Sequence, residues 1–500
     1  MSRRSKLLAL AVALAALLVL AGMLLLSQMP GPGGQTQLER VINAFWKRRA
    51  ILAVMMAAFI VVLALWLLYV RRFVLLKALG AVTAVALLIF GVIEFRMTYP
   101  HQAVFDPQHL GDAWDILVGM DIRLGRFDPK PTLIVSHTDV ARAAFPAIDT
   151  HFHLGSLPPD IDAKRLVEGM DAAGISKVVN LDGSPGDFEK FARDFRDKYP
   201  DRFILFVKPN FTEAADDKNG GAKQVSWIDQ AARLGARGVK VNKSLGLSVR
   251  QSDGKLVMMD DPRLDPIWAE AGRLGMPVLI HTGEPDAFFE PIGPHNERIG
   301  EILESPQFGD GLKSDVPSKK ILMEQRERVM ARHPETNFIG AHIGMNEDNL
   351  AYASSLLDRF PNYYVDIASV VHALGRQPYT ARKFFLKYQD RILFGTDGGY
   401  ALQNSGSGWT PERYFRSYFE FLETENEYAE YPLFGVNKQG NWRVYGIGLP
   451  REVLRKIYVL NLEKLLPSDA KITEGLAGRF HALDTGVPIF PATPPKKPEG

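Results

Sequence analysis

The chain predicts a (β/α)8 barrel preceded by an N-terminal transmembrane segment, and three observations carry that expectation. From Pro146 onward, apolar runs of four to six residues alternate with amphipathic helical patterns, eight times over. Strict alternation argues a parallel sheet with helices outside it, and eight units argue closure. Several of the runs end in metal-binding residue types, and barrel enzymes place their chemistry at that end of their strands. The first 95 residues differ in kind, with three long apolar stretches between basic clusters. A doubly wound open sheet is the alternative for the barrel part, because periodicity alone does not show closure.

In chain order, the apolar stretch 7–29 stands behind Arg3, Arg4 and Lys6, 51–70 lies between Lys47-Arg48-Arg49 and Arg71-Arg72, and 73–95 is interrupted by Lys77. Each is long enough to cross a hydrocarbon layer of about 30 Å. A multi-pass anchor in a bilayer of bacterial inner-membrane type is therefore expected over 1–95. Basic residues divide almost evenly between the two sides, and the cluster ahead of the first span favours an N-terminus inside, with the barrel on the extracytoplasmic side. Residues 96–145 read as a connector with a helix over 112–125 and a β run over 132–136.

Strands are expected over 147–153, 177–181, 203–207, 238–241, 278–281, 337–342, 363–367 and 391–396. The helical patterns between them cover 163–173, 188–199, 227–234, 264–274, 319–332, 349–360 and 382–388, and 451–466 closes the series. Three stretches interrupt the rhythm: a hairpin pattern over 247–259 turning at Asp253-Gly254, and insertions over 284–317 and 401–450 that leave from strand ends as a lid and substrate walls would. The barrel domain is thus 146–467. The remaining tail, 468–500, contains five prolines after residue 486 and should be disordered at its end.

Composition narrows the chemistry. A net charge of +2, from 59 basic and 57 acidic residues, gives no bulk signal for nucleic acid. Cysteine is absent, which excludes thiolate ligands, disulfides and a cysteine nucleophile. No G-x-S-x-G elbow and no Walker spacing occur. A small-molecule substrate is the expected partner, with a homo-oligomer also open.

The candidate site begins at A-I-D-T-H-F-H-L, where Asp149, His151 and His153 share one face of a strand. Imidazoles at i and i+2 close on one ion from a strand, whereas a helix would splay them about 200° apart. His281 ends the fifth run in H-T-G, His342 the sixth in A-H-I-G, and Asp397 the eighth in G-T-D. Four of eleven histidines thus fall at one end of the predicted strands.

On these motifs residues 146–467 resemble the amidohydrolase superfamily, and within it the amidohydrolase-related group that includes aminocarboxymuconate-semialdehyde decarboxylase, aromatic-acid decarboxylases, lactonases and other hydrolases. The resemblance implies that His151, His153, His281 and Asp397 bind a divalent metal, one Zn2+, and that His342 contacts the metal's water or the substrate. Asp397 would also carry a proton between water and leaving group, with His342 stabilising negative charge. Lys240 stands where two-metal relatives carry a bridging carboxylated lysine, although a salt bridge or substrate contact is the preferred reading. Asn242 departs from the group's frequent K-x-H. Lys208, Asn210 and His295 are further wall candidates, and Asp366 would orient a neighbour.

The expected function is metal-dependent hydrolysis of a small amide, lactone or ester. Non-oxidative decarboxylation of an aromatic or unsaturated acid is the alternative, and a catalytically inactive membrane-anchored binding barrel is the reading from another class. All five site positions are filled, which weighs against the last.

Overall fold

The computed structural model describes residues 132–467 apart from 158–160, 217–219, 292, 294, 305–314, 400–409 and 432–441. The three apolar spans, the helix expected over 112–125 and the tail 468–500 lie outside the described residues. Among the described residues no helix is long and apolar enough to cross a membrane.

Eight parallel strands form one sheet among the described residues, in the order β1 to β8: Ala147–Phe152, Ile175–Gly183, Phe203–Val207, Ala236–Val241, Val278–Ile280, Phe338–Gly340, Tyr363–Asp366 and Ile392–Leu393. Each pairs with its sequence neighbour, as right-handed β-α-β units require. The segment after β8 closes the ring on β1 by backbone bonds: Thr150 N–H donates to Phe394 O at 2.9 Å, Asp397 N–H to His151 O at 2.8 Å and His153 N–H to Gly398 O at 2.9 Å. Sequential order and closure together exclude the doubly wound sheet.

Ile148, Val179, Leu181, Phe206, Leu279, Ile339 and Leu393 fill the barrel interior, while a larger outer layer packs the helices on the strands. In β1 the parity changes along the strand. Ala147 packs in the outer layer and Ile148 inside, yet Phe152 is again outside. A register shift between Asp149 and Phe152 supplies the missing residue of phase. It leaves His151 on the inward side.

The helices follow local rules. Helix Ala163–Ala173 starts at Asp162, whose side chain accepts from Arg165 N at 2.8 Å, and ends at Gly174 with φ 79°. Its buried Leu166, Val167, Met170 and Ala173 recur at helical spacing and face the sheet. Lys319–Arg332 keeps its expected bounds. Two expected helices carry a wider π turn, at Ala192–Arg196 and Lys456–Leu460. In the second the Ile457 carbonyl accepts from Phe394 N–H at 3.0 Å, which fastens the closing helix to the end of β8.

Two expectations need correction. The eighth strand shrinks from 391–396 to Ile392–Leu393, because the segment beyond it bonds to β1 and to the Asp149 side chain. The β run over 132–136 is irregular: a closed barrel offers it no strand edge, and Leu133 and Ile134 face outward. The hairpin pattern survives as one antiparallel bridge, Arg250 to Leu256. Of the insertions, 284–317 brings Phe288, Arg298 and Glu301 to the barrel mouth, and 401–450 supplies helix Pro411–Glu423.

Candidate metal centre

Strand ends β1, β5, β6 and β8 converge at one mouth of the barrel, as do the chemistry-bearing side chains they carry. His151 is buried, and its Nδ1 lies 2.8 Å from Asp366 Oδ2. His153 Nδ1 lies 2.7 Å from Asp182 Oδ1. A carboxylate only accepts, so each ring carries its proton on Nδ1 and presents an Nε2 lone pair. Both lone pairs face Asp397 Oδ1, at 3.5 Å from His151 and 3.4 Å from His153.

The other two imidazoles form a relay. His342 Nδ1 lies 2.7 Å from the Ala368 carbonyl, so it donates there and Nε2 is an acceptor. That Nε2 lies 3.3 Å from His281 Nδ1, which must therefore bear the proton. His281 Nε2 is left as a buried lone pair with no partner among the described residues.

This donor set fits a cation. Two imidazole nitrogens and a carboxylate oxygen converge, with Lys240 Nζ 3.4 Å from His151 Nε2 as the cation beside them, and all three are ligand types that a divalent ion takes. Burial, reinforced by the nearby Lys240, holds His151 well below its usual range, so its Nε2 does not supply the proton near neutrality. Burial alone would raise the Asp397 carboxyl, but His151, His153, His342 and Lys240 outweigh it and hold Asp397 below its usual value. His151, His342 and Asp397 offer ligand atoms all within 4.8 Å of one another, and His153 reaches the same Asp397 oxygen. The compact group thus contains His342, where the sequence reading placed His281. His281 stands one hydrogen bond behind, with its orphaned nitrogen.

Lys240, on β4, is buried with Nζ 3.4 Å from His151 Nε2. Burial lowers it to about 8, against the opposing pull of Asp366 and Asp397. Asn242 lines the mouth. The other three wall candidates do not line it: Asn210 instead accepts from Glu213 N–H at 3.1 Å at the start of the helix after β3. Lys208 lies beyond β3 outside the cavity lining, and its charge is felt at Asp182 and Lys240. His295 is exposed and belongs to a separate surface depression with Glu297 and Asp348. Asn296, its neighbour, turns inward and donates to the Ala287 carbonyl at 2.7 Å, which sends His295 the other way.

Asp149 takes part without facing the metal site. Its carboxylate accepts from the backbone of His151 at 3.1 Å and of Thr396 at 3.0 Å, and from the Thr396 hydroxyl. Burial raises it to about 7. It ties the histidine strand to the chain just before Asp397.

Two site residues adopt left-handed backbone, His342 with φ 58° and Asp397 with φ 61°. Such non-glycine positions cost on the order of 1–3 kcal/mol each and need the surroundings to hold them. His342 N–H donates to Asp366 Oδ1 at 2.8 Å, and the Thr396 carbonyl accepts from the Tyr414 and Tyr418 hydroxyls at 2.7 and 2.8 Å. Gly399, with φ 90°, sits so close that a Cβ would lie 1.9 Å from the His153 carbonyl.

The centre opens into a cavity of about 460 Å3, a size suited to a small molecule. Its wall carries charges that sequence reading passed over. Arg298 Nε donates to Glu301 at 2.6 Å, Lys243 pairs with Glu284, and His372 Nε2 lies 2.9 Å from Arg298. Asp182 stood in plain view, directly after the second predicted run. Arg298, Glu301, His372 and Glu347 carry no spacing signal.

The amidohydrolase family model matches residues 148–467, which is the whole barrel with its metal-binding strand ends. The chain belongs to the amidohydrolase family. Among curated proteins none matches this amidohydrolase. Solved structures similar to it include 2,6-dihydroxybenzoate decarboxylase from Rhizobium, 18% identical over 66% of this chain and 98% of that one, with a TM-score of 0.39. Dihydroxybenzoic acid decarboxylase from Polaromonas, with bound manganese, is 15% identical over 64% and 96%, with a TM-score of 0.42. An uncharacterized TIM-barrel protein from Bordetella bronchiseptica is 19% identical over 64% and 97%, with a TM-score of 0.37. By its family the chain is an amidohydrolase-type, metal-dependent enzyme.

Proposed function

We propose that this amidohydrolase hydrolyses a small amide, lactone or ester with one divalent ion held by His151, His153, Asp397 and the His281–His342 pair, whose facing ring nitrogens lie 3.3 Å apart. When bound, the ion supplies Lewis acidity to oxygen atoms brought against it. The reading is carried by the place of Asp397: a carboxylate that lines the cavity with Oδ1 3.5 Å from His151 Nε2 and 3.4 Å from His153 Nε2 is the base that takes a proton from an attacking water. It then returns that proton to the leaving nitrogen or oxygen. His342, with its own proton committed to Ala368, keeps Nε2 as an acceptor toward His281. Lys240 is the cation available to a developing oxyanion.

Decarboxylation remains the second reading, favoured by Lys240 as an anchor for a substrate carboxylate. Against it, the other two cations of the cavity are already paired, Lys243 with Glu284 and Arg298 with Glu301. The test is to load the purified full-length chain with zinc or manganese and assay it against lactones, amides, esters and aromatic acids, with Asp397→Asn alongside. Hydrolysis that falls by roughly 10²–10⁴ in the variant is the expected result. Release of CO2 without hydrolysis would transfer the assignment to the carboxy-lyase reading.

Residues 1–95 we propose as a multi-pass anchor that keeps the enzyme at a membrane, with the barrel on the extracytoplasmic side. The apolar lengths and flanking charges support it. Retention of the full-length chain in the membrane fraction after alkaline wash, and protease access to the barrel from the outer face alone, are the outcomes expected.

A further inference from the structure

Glu347 lies in the turn after β6, five residues beyond His342, and its side chain lines the same cavity as Asp397. It is 1% exposed, and its Oε2 has no hydrogen-bond partner among the described residues. The other carboxylates of the wall are matched: Glu284 by Lys243, Glu301 by Arg298 and Asp182 by His153. Glu347 has no ion-pair partner among the described residues; its carbonyl accepts from Gln377 Nε2 at 2.7 Å, and its carboxyl takes a backbone hydrogen bond from its own amide, which leaves Oε2 as the unmatched atom. Burial, with Asp348 nearby, raises its carboxyl to about 7, and Lys319 and Arg298 act in the opposite sense.

An unmatched acceptor in a buried wall destabilises the protein that carries it. Here it belongs to a residue that lines the cavity open to substrate. We propose that Glu347 is a substrate-binding residue of this cavity and that it receives an amino substituent, so that the substrate class is an amino-bearing lactone, amide or ester. The inference rests on the hydrolytic reading for the carbonyl part of that class and on Glu347 for the amino part. An N–H donor fills the empty acceptor position, and a protonated amine also supplies the positive charge that Glu284 and Glu301 already have and Glu347 lacks. A site built to bond such a donor discriminates strongly against the analogue without it, because the buried acceptor is then left bare.

The test uses the metal-loaded full-length chain and three matched pairs of probes: α-amino-γ-butyrolactone with γ-butyrolactone, leucinamide with 4-methylpentanamide, and methyl 6-aminohexanoate with methyl hexanoate. Wild type should favour the amino member of at least one pair by about tenfold or more in kcat/KM. Glu347→Leu should bring that ratio close to one, and Glu347→Gln, which keeps an acceptor without the charge, should retain part of it. Equal ratios in wild type and Glu347→Leu would overturn the proposal. Two thermal measurements need no turnover. Glu347→Leu without ligand should melt higher than wild type, since it removes a bare buried acceptor; a lower melting temperature would show a structural role and overturn the proposal. Amino-bearing probes should raise the melting temperature of wild type and not of Glu347→Leu, and an equal rise in both would also overturn it. If wild type hydrolyses none of the six compounds, the hydrolytic reading fails by itself, while the thermal pair still decides the role of Glu347.

Discussion

At the scale of single residues, the site depends on which nitrogen of each imidazole bears the proton. Asp366 sets this for two strands at once: Oδ2 accepts from His151 Nδ1 at 2.8 Å, while Oδ1 accepts the backbone amides of His342 at 2.8 Å and Ala368 at 3.1 Å. Asp366→Asn cannot satisfy both duties. If its carbonyl keeps the two amides, its NH2 faces His151 Nδ1, forces the proton to Nε2 and removes a ligand lone pair. Metal affinity, measured by chelator competition, should fall about 10- to 100-fold, and the ¹⁵N shifts of His151 should report the exchanged tautomer. Unchanged affinity would mean that Asp366 does not orient His151. The side chains whose chemistry is unusual for their position were legible in the sequence. His151, His153, His281, His342 and Asp397 stand at strand ends, where packing does not demand them, and Asp366 was readable by the same reasoning. Glu347, Arg298 and Glu301 were not, because a charged residue in a loop looks solvated until the fold buries it.

At the scale of elements, the segment from Phe394 to Gly398 is held from both sides, by β1 through backbone bonds and by helix Pro411–Glu423 through Tyr414 and Tyr418. The Thr396 carbonyl has two donors, so losing one leaves it satisfied and losing both does not. Tyr414→Phe should therefore cost about 1 kcal/mol in urea unfolding, and the double variant with Tyr418→Phe more than the sum of the singles. Strict additivity would show that the two hydroxyls act independently. At its far end the same helix offers Glu423, which accepts from Ala144 N–H at 3.0 Å and Tyr458 O–H at 2.8 Å and is raised by burial to about 7. A carboxyl whose folded value lies above its unfolded one binds its proton more tightly when folded. Its contribution is full below the ordinary value of 4.5 and is lost as pH rises through about 7. The difference in stability between wild type and Glu423→Gln should shift against wild type by up to about 3 kcal/mol from pH 4.5 to 8. A flat difference would place Glu423 in contact with water. These ties join parts of the chain far apart in sequence, and periodicity does not report them. It does report helix Ala163–Ala173, whose cap, buried stripe and terminal glycine all lie within a dozen residues.

At the scale of the whole molecule, the barrel closes at the place where the metal ligands meet. The bonds that complete the ring, from Thr150 to Phe394, Asp397 to His151 and His153 to Gly398, are made by the ligand residues and their neighbours. Closure therefore brings Asp397 Oδ1 to within 3.5 Å of the His151 and His153 Nε2 atoms, with Lys240 Nζ 3.4 Å from the first of them. A divalent ion held by these groups would bind only the closed barrel, so metal binding and closure would be linked. A ligand that binds only the closed form stabilises it by RT ln(1 + [L]/Kd), about 2.7 kcal/mol when free metal is 100 times Kd. Chelation should accordingly lower the urea midpoint of the full-length chain, and zinc or manganese should restore it. In Asp397→Asn the carboxylate charge is gone, so the midpoint should respond weakly to metal. Identical midpoints for metal-replete and chelated wild type would separate the centre from the closure of the barrel and leave Lys240 as the cation that serves those groups.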